Sequence, residues 1–344
     1  MQRRPTMRDV AAAAGVSVKT VSRVVNDEAP VRDVVASRVR AAIDLLGYRP
    51  DHRAQFLRRP GTRSATIGFL PFDVSNPFFS AIYRGLEDVA WAEGYVVVAG
   101  SSDGTRDRAE AILKRLIGTR VDGLVVVPAG DDHTLIAEEL GRGTPIVLLD
   151  LEVDDLAGVD LVRSDHRGGA RLAVEHLIAH GHRDIAYLGD VAAISSARER
   201  HAGYLEAVRA AGIRPRPNWS LHGLGTSAAA QAVRDLFADG ERPRPSALFS
   251  AQNAVTIGAV QALHELGLHR SVAIVGFDDV DMATVVDPGL SVVPQRPLEL
   301  GRLAGKLLLD RIGGHRGPAR RAVLADQLIE RGSGEIRQAA LLSS

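Results

Sequence analysis

The 344 residues of this chain are 45% apolar, enough to bury a sizeable core and too many for one ordinary domain, so two or three folded units are expected. The chain has no cysteine, which excludes a disulfide framework and thiolate chemistry, and no run approaches the ~20 apolar residues of a membrane span. A formal net charge of zero conceals a polarity: residues 1–60 carry 12 Lys and Arg against 6 Asp and Glu, leaving 30 against 36 for the rest, as in a phosphate-binding module joined to a mildly acidic body.

The first predicted element starts at Met7. Thr6 and Asp9 form a capping box, Val10, Ala11 and Ala14 share one face, and Gly15 supplies the left-handed residue that ends the helix. Ser17 caps a second helix in which Val21 and Val24 turn inward and Lys19, Thr20, Ser22 and Arg23 outward. Two short helices crossing over a tight turn make a helix-turn-helix, whose second helix enters the DNA major groove; a plain αα-hairpin is the alternative, and the basic flanks favour DNA. A third helix, 31–46, ends at Gly47. Residues 51–60 allow a helix of under two turns, too short to persist alone, carrying Arg53, Phe56, Leu57, Arg58 and Arg59; a simple basic tether is the other reading.

From Thr66 onward strands and helices alternate. Strands are predicted at 67–72, 95–100, 123–128, 146–150, 161–162, 185–189, 247–251 and 272–277, with a last one near 322–329. Helices fall near 77–93, 106–118, 133–143, 167–180, 196–211, 226–239 and 253–266. Apolar strands alternating with helices mean parallel sheets covered on both faces, and two such units in tandem place a ligand in the cleft between them, beyond the strands' carboxyl ends.

With both halves in view, the chain resembles the LacI/GalR family of bacterial transcription regulators over residues 6–334. The motifs are VAAAAGVSVKTVSRVVN, GYRPDHRAQFLRR, SNPFF at 75–79, VDGLVVVP at 121–128, HLIAHGHRDIAYLGD at 176–190, SSARERHAGY at 195–204 and VGFDDVDMATVVDPGLSVVPQ at 275–295. The resemblance implies an all-α helix-turn-helix headpiece (1–50), a hinge helix and linker (51–64) and an α/β periplasmic-binding-protein-like core of two parallel-sheet subdomains (65–344). The first subdomain is expected at about 65–163 plus 294–322, the second at 164–293 plus 323–344. The resemblance further implies a cytoplasmic homodimer on a pseudo-palindromic, double-stranded operator. No coiled-coil heptads follow the last strand, so a dimer rather than a tetramer is expected.

Carried over residue by residue, Val18, Lys19 and Arg23 match base-reading positions, and Thr6, Ser17, Thr20, Ser22 and Asn26 positions on the phosphate backbone. Leu57, with Ala54 beside it, matches a minor-groove wedge that opens the groove to Arg58 or Arg59, while Arg53 departs from the apolar residue many members carry. In the core, Phe78 and Phe79 match ring-stacking positions, Arg200 and Asp278 a ligand-binding pair, and Asp73, Asp150, Ser196, Gln252 and Gln295 further contacts; core packing of the two rings and helix capping by Asp278 are the alternatives. His176, His180 and His182 imitate metal-ligand spacing without an accompanying cysteine or converging carboxylates, so no metal is expected. Gly168-Gly169 lacks the lysine of a phosphate loop, and no nucleophile–base set appears, so neither an enzyme nor a cofactor is expected. The function implied is a ligand-responsive repressor of carbohydrate-utilisation genes released by a sugar; alternatives are a corepressor-dependent purine-type regulator and an intracellular solute-binding protein.

Overall fold

The structure, a computed structural model, describes residues 5–26, 30–48, 63–153, 156, 158–238 and 243–338. The chain divides into two compact units, Met1–Ser64 and Ala65–Ser344.

In the first unit, α1 (Met7–Ala14), α2 (Val18–Asn26) and α3 (Asp33–Leu46) pack around Val10, Ala11, Ala14, Val21, Val39, Ala42 and Tyr48. The capping box is present: Asp9 N–H donates to the Thr6 hydroxyl, and the Asp9 carboxylate accepts from Thr6 N–H at 2.7 Å. Gly15 closes α1 at φ 60°, a conformation that costs a residue with a Cβ about 1 kcal/mol. α3 begins two residues later than its apolar spacing suggests, with Arg32 at the cap position.

The second unit contains two parallel sheets. One has six strands in the order β11 (Arg321–Leu324), β5 (Asp160–Ser164), β4 (Ile146–Leu149), β3 (Gly123–Val126), β1 (Thr66–Leu70), β2 (Val96–Ala99). The other has five: β10 (Ser291–Val293), β9 (Ala273–Phe277), β8 (Ala247–Ser250), β6 (Ile185–Leu188), β7 (Ser220–Leu221). Helices α4 (Pro77–Ala92), α5 (Arg106–Gly118) and α6 (Thr134–Gly141) connect the first sheet's strands, and α7 (His166–Ala179), α8 (Ser195–Ala210), α9 (Thr226–Ala238) and α10 (Asn253–Glu265) the second's. Fully buried runs such as Leu124–Val125–Val126 and Phe249 beside Leu248 reflect strands covered on both faces.

The two sheets are not independent tandem units. β5, α11 (Pro297–Ile312) and β11 belong to the six-stranded sheet, so the chain crosses between subdomains three times, at 164–166, 293–297 and after Leu324. Ser164, Val323 and Leu324, expected in the second subdomain, therefore lie in the first sheet; pairing Arg321–Leu324 with Leu161–Ser164 carries them there. Neither α11, β7 nor β10 stands out in the sequence. α11 packs on α4 through paired small residues: a Cβ on Gly85 would strike the Leu298 carbonyl oxygen, and one on Gly301 the Ile82 carbonyl oxygen. Past β11 the chain returns to the five-stranded sheet, where Val292 and Ile329 form an antiparallel bridge.

Candidate functional site

In the first unit the outward face of α2 carries the candidate DNA contacts. Val21 is wholly buried, which fixes the rotation of the helix and leaves Lys19, Arg23 and Val18 exposed. Lys19 and Arg23, four residues apart, share one face. Ser17 Oγ accepts from Thr20 N–H at 3.1 Å and lies 2.9 Å from the Thr20 hydroxyl, so both are engaged in capping α2 while remaining at its exposed start. Thr6 is held by Asp9, and Ser22 is half-buried. Asn26 ends α2. Ala54, Leu57 and Arg58, with Arg53, lie outside the described residues.

In the second unit polar side chains converge between the carboxyl ends of the two sheets. Asp150 follows β4 and Asp278 follows β9, each in the left-handed region (φ 67° and 71°), which Asp tolerates better than most residues. Thus each sheet contributes one buried carboxylate from the same structural position. Gln295 Nε2 donates to Asp278 Oδ1 at 2.6 Å. His166 Nε2 lies 3.1 Å from Asp150 Oδ1, spanning from the second subdomain to the first. Burial pushes the Asp150 carboxyl up, but His166, Arg200 and Arg163 outweigh it and hold the carboxyl below its usual value.

Arg200, on the inner face of α8, is the one buried lysine or arginine among the described residues. Its guanidinium donates to the Ala251 carbonyl at 2.8 Å, lies 3.3 Å from His166 Nδ1 and rests 4.1 Å from the centre of the Phe277 ring. Ser196, one turn earlier on α8, is also buried. Gln252 Nε2 reaches Asp190 at 3.3 Å. Arg200 Nε, Gln252 Oε1 and Gln295 Oε1, and near them both carboxyl oxygens of Asp326, are buried with no hydrogen-bond partner among the described residues. Unpaired buried polar groups each cost about 1–3 kcal/mol, and a ligand rich in donors and acceptors relieves that cost.

Two expectations change. Phe79 is 6% exposed and packs against Phe72 and Phe78 in the core, the packing alternative for this ring; Phe78, half-buried with its ring centre 5.1 Å from that of Phe79, is the more accessible of the two. Asp73 is exposed and committed to Ser75, accepting from its amide at 2.8 Å and its hydroxyl at 2.7 Å; these bonds lower its pKa and shape the loop before α4. The histidines of the 176–182 segment serve packing: His176 Nε2 meets Glu335 at 2.6 Å, His180 Nδ1 the His176 carbonyl, and His182 bridges Ser246 and the Ile336 carbonyl.

The sequence reading missed His166, Asn76, Asn253 and Asp326. Asn253 Nδ2 donates to Asn76 Oδ1 at 2.9 Å, joining the amino termini of α10 and α4 across the cleft. Asparagine before Pro-Phe-Phe signals a helix cap and nothing more, and His166 opens a helix whose start was placed one residue later. His222, in the segment after β7, packs 4.6 Å from His201 and 5.2 Å from Tyr187 between ring centres.

Comparison with known proteins agrees with this geometry. Residues 6–51 match the model of bacterial regulatory proteins of the lacI family, and residues 174–334 that of a periplasmic binding protein-like domain. The ribose operon repressor of Escherichia coli (strain K12) is 34% identical over 333 residues, covering 95% of this chain and 99% of that protein. The chain belongs to the LacI family. The transcriptional repressor PurR of Erwinia tasmaniensis is 33% identical over 332 residues, covering 95% of this chain and 96% of that protein. Among solved structures, the lac repressor dimer bound to operator and the anti-inducer ONPF aligns with a TM-score of 0.83 at 28% identity over 96% of this chain and 99% of that one. This LacI-family member is a ligand-responsive, DNA-binding transcription regulator rather than an enzyme. Among the described residues no helix is long and apolar enough to cross a membrane.

Proposed function

We propose that this regulator is a homodimeric repressor of carbohydrate-utilisation genes that releases a pseudo-palindromic operator when a neutral sugar enters the cleft. The observation that carries the reading is the charge and hydrogen-bonding balance of the cleft. One buried cation, Arg200, acts on the buried carboxylate Asp150, and Asp278 is a second buried carboxylate of the cleft, with unpaired atoms on Gln252, Gln295 and Arg200. Carboxylates accept from hydroxyls, guanidinium and amide groups complete the shell, and the half-buried Phe78 offers one apolar surface; a phosphate dianion finds one cation, already engaged. The named ribose operon repressor among the relatives makes a pentose the first ligand to try.

On this reading two α2 helices occupy successive major grooves, and residues 51–60, outside the described residues, fold in the central minor groove with Leu57 as the wedge beside Ala54, opening the groove to Arg58 or Arg59. Sugar binding draws the two subdomains together and removes the hinge from DNA. Dimerisation is supported by the open edge of the six-stranded sheet, where Val96 and Val98 of β2 are 57% and 45% exposed beside Trp91 at 76%. The protein's place is the bacterial cytoplasm, where operator and sugar are both present.

Selection of bound sites from random duplex DNA, followed by titration of the complex with D-ribose, other pentoses, hexoses and purine bases, tests the reading. A tenfold loss of operator affinity with a sugar, equivalent to about 1.4 kcal/mol of coupling, is expected. Tightening by a purine base with no response to sugars would replace it with the corepressor mode of the PurR-like relatives.

A further inference from the structure

Asp326 is the most anomalous buried group in the second unit. It is 7% exposed, lies two residues past β11 on the third crossover, and neither carboxyl oxygen has a hydrogen-bond partner. It is wedged against the other two crossovers: a Cβ built on Gly169, in the first turn of α7, would lie 3.0 Å from Asp326 Oδ2 and 3.1 Å from Val293 Cγ1 at the end of β10. Around it stand Arg200 from α8, Asp278 past β9, Asp165 at the cap of α7 and Asp150 past β4, with His166 between Asp150 and Arg200. Asp165 is committed to the Gly168 amide at 2.9 Å and Asp278 to Gln295 at 2.6 Å, so neither offers Asp326 a donor.

We propose that Asp326 is a proton-operated latch in the hinge between the two subdomains: protonated, it stays packed among the crossovers with the cleft lips in contact; ionised, it admits water and lets the lips part. An ionised carboxylate without a donor is among the costliest groups to bury, and hydration requires the three crossovers to loosen. Burial, opposed by Arg200 and reinforced by Asp278, Asp165 and Asp150, pushes its pKa up to about 8, so the acid holds its proton in the packed form. Opening exposes it to water and returns the pKa toward its ordinary value near 4. The proton therefore binds the closed form more tightly, and the closed population falls as pH rises from about 4 to about 8. The lips here are in contact through Asn253 and Asn76. Only the consequence for effector response rests on the cleft being the effector site; the coupling of proton to closure is measured without effector.

The chain has no native cysteine, so nitroxide labels can be placed at will. Asp107→Cys on α5 and Ser227→Cys on α9, both exposed and on opposite subdomains, report lip separation by pulsed electron–electron double resonance at pH 5.5 and 8.5. The expected result is a longer mean label distance at pH 8.5 in the labelled parent and no change when Asp326→Asn or Asp326→Ser is added. A parent distance that does not move with pH, or a shift that survives in a folded variant, overturns the latch. D-ribose titrated into the same samples separates the two ideas: an Asp326-dependent shift without ribose binding leaves the latch standing and discards the pentose reading alone.

Discussion

Asn76 Oδ1 accepts two hydrogen bonds, one from Phe78 N–H at 3.0 Å that caps its own helix and one from Asn253 Nδ2 at 2.9 Å that comes from the opposite subdomain. A single carbonyl oxygen thereby starts α4 and closes the cleft. Asn253→Ala removes the second bond and leaves the first, so the fold should survive while the closed form loses about 1 kcal/mol, roughly fivefold in the closed-to-open ratio. Label distances across the cleft or small-angle scattering would report the wider average separation; an unchanged distance would mean that the bridge contributes nothing to closure.

Asp278→Asn is a discriminating change at the ligand site. Asp278 sits at φ 71°, which asparagine also tolerates, and asparagine retains a carbonyl oxygen for Gln295. The substitution should therefore leave folding and ligand-free operator binding nearly intact while abolishing the DNA-release response to sugar, because the charged acceptor is gone. A variant that still responds at parental sugar concentrations places the effector elsewhere.

The rotation of α2 fixed by Val21 predicts that Arg23 meets base edges. Arg23→Ala should cost on the order of 1–3 kcal/mol per half-site and relax preference at one operator position, whereas Arg3 and Arg4 variants should weaken all sequences alike. Binding-site selection with each variant decides this: uniform weakening by Arg23→Ala would make Arg23 a phosphate contact.

Asp160 is the strongest electrostatic anchor of the six-stranded sheet. Burial pushes its carboxyl up, but hydrogen bonds from Arg311 Nη2 at 2.7 Å, Arg320 Nη2 at 2.8 Å and Arg320 N–H at 2.8 Å bring it down to about 2. Because the folded pKa lies below the unfolded one, the stabilisation is complete above about pH 4 and is lost as pH falls toward 2. Asp160→Asn removes the carboxylate that Arg311 and Arg320 share, leaving Arg320 with Asp310 and Arg311 with the Gly317 and Pro318 carbonyls, and should cost about 2 kcal/mol at pH 7, with the gap to the parent narrowing below pH 4. Urea unfolding at pH 7 and pH 3 measures both.

The sequence by itself determined the local elements and their order. Capping at Thr6, the left-handed Gly15, and the switch from helical spacing to short apolar runs after Thr66 are governed by neighbours within a few residues, so the headpiece and most strands and helices were legible there. Asp150 and Asp278 were reached through the family resemblance, and both lie just past a strand, where parallel strands put their successors at the cleft. Tertiary structure alone decided which ring of the Phe78–Phe79 pair was buried, that Asp73 was occupied by Ser75, and that Val323 and Leu324 stay in the first sheet by pairing with Arg163 and Ser164. These outcomes depend on contacts between residues far apart in the chain, such as Gly301 with Ile82, Asn253 with Asn76 and Asp160 with Arg320. Asp326 belongs to the same class: nothing in its neighbours along the chain marks it, and only the meeting of three crossovers removes its water and every donor.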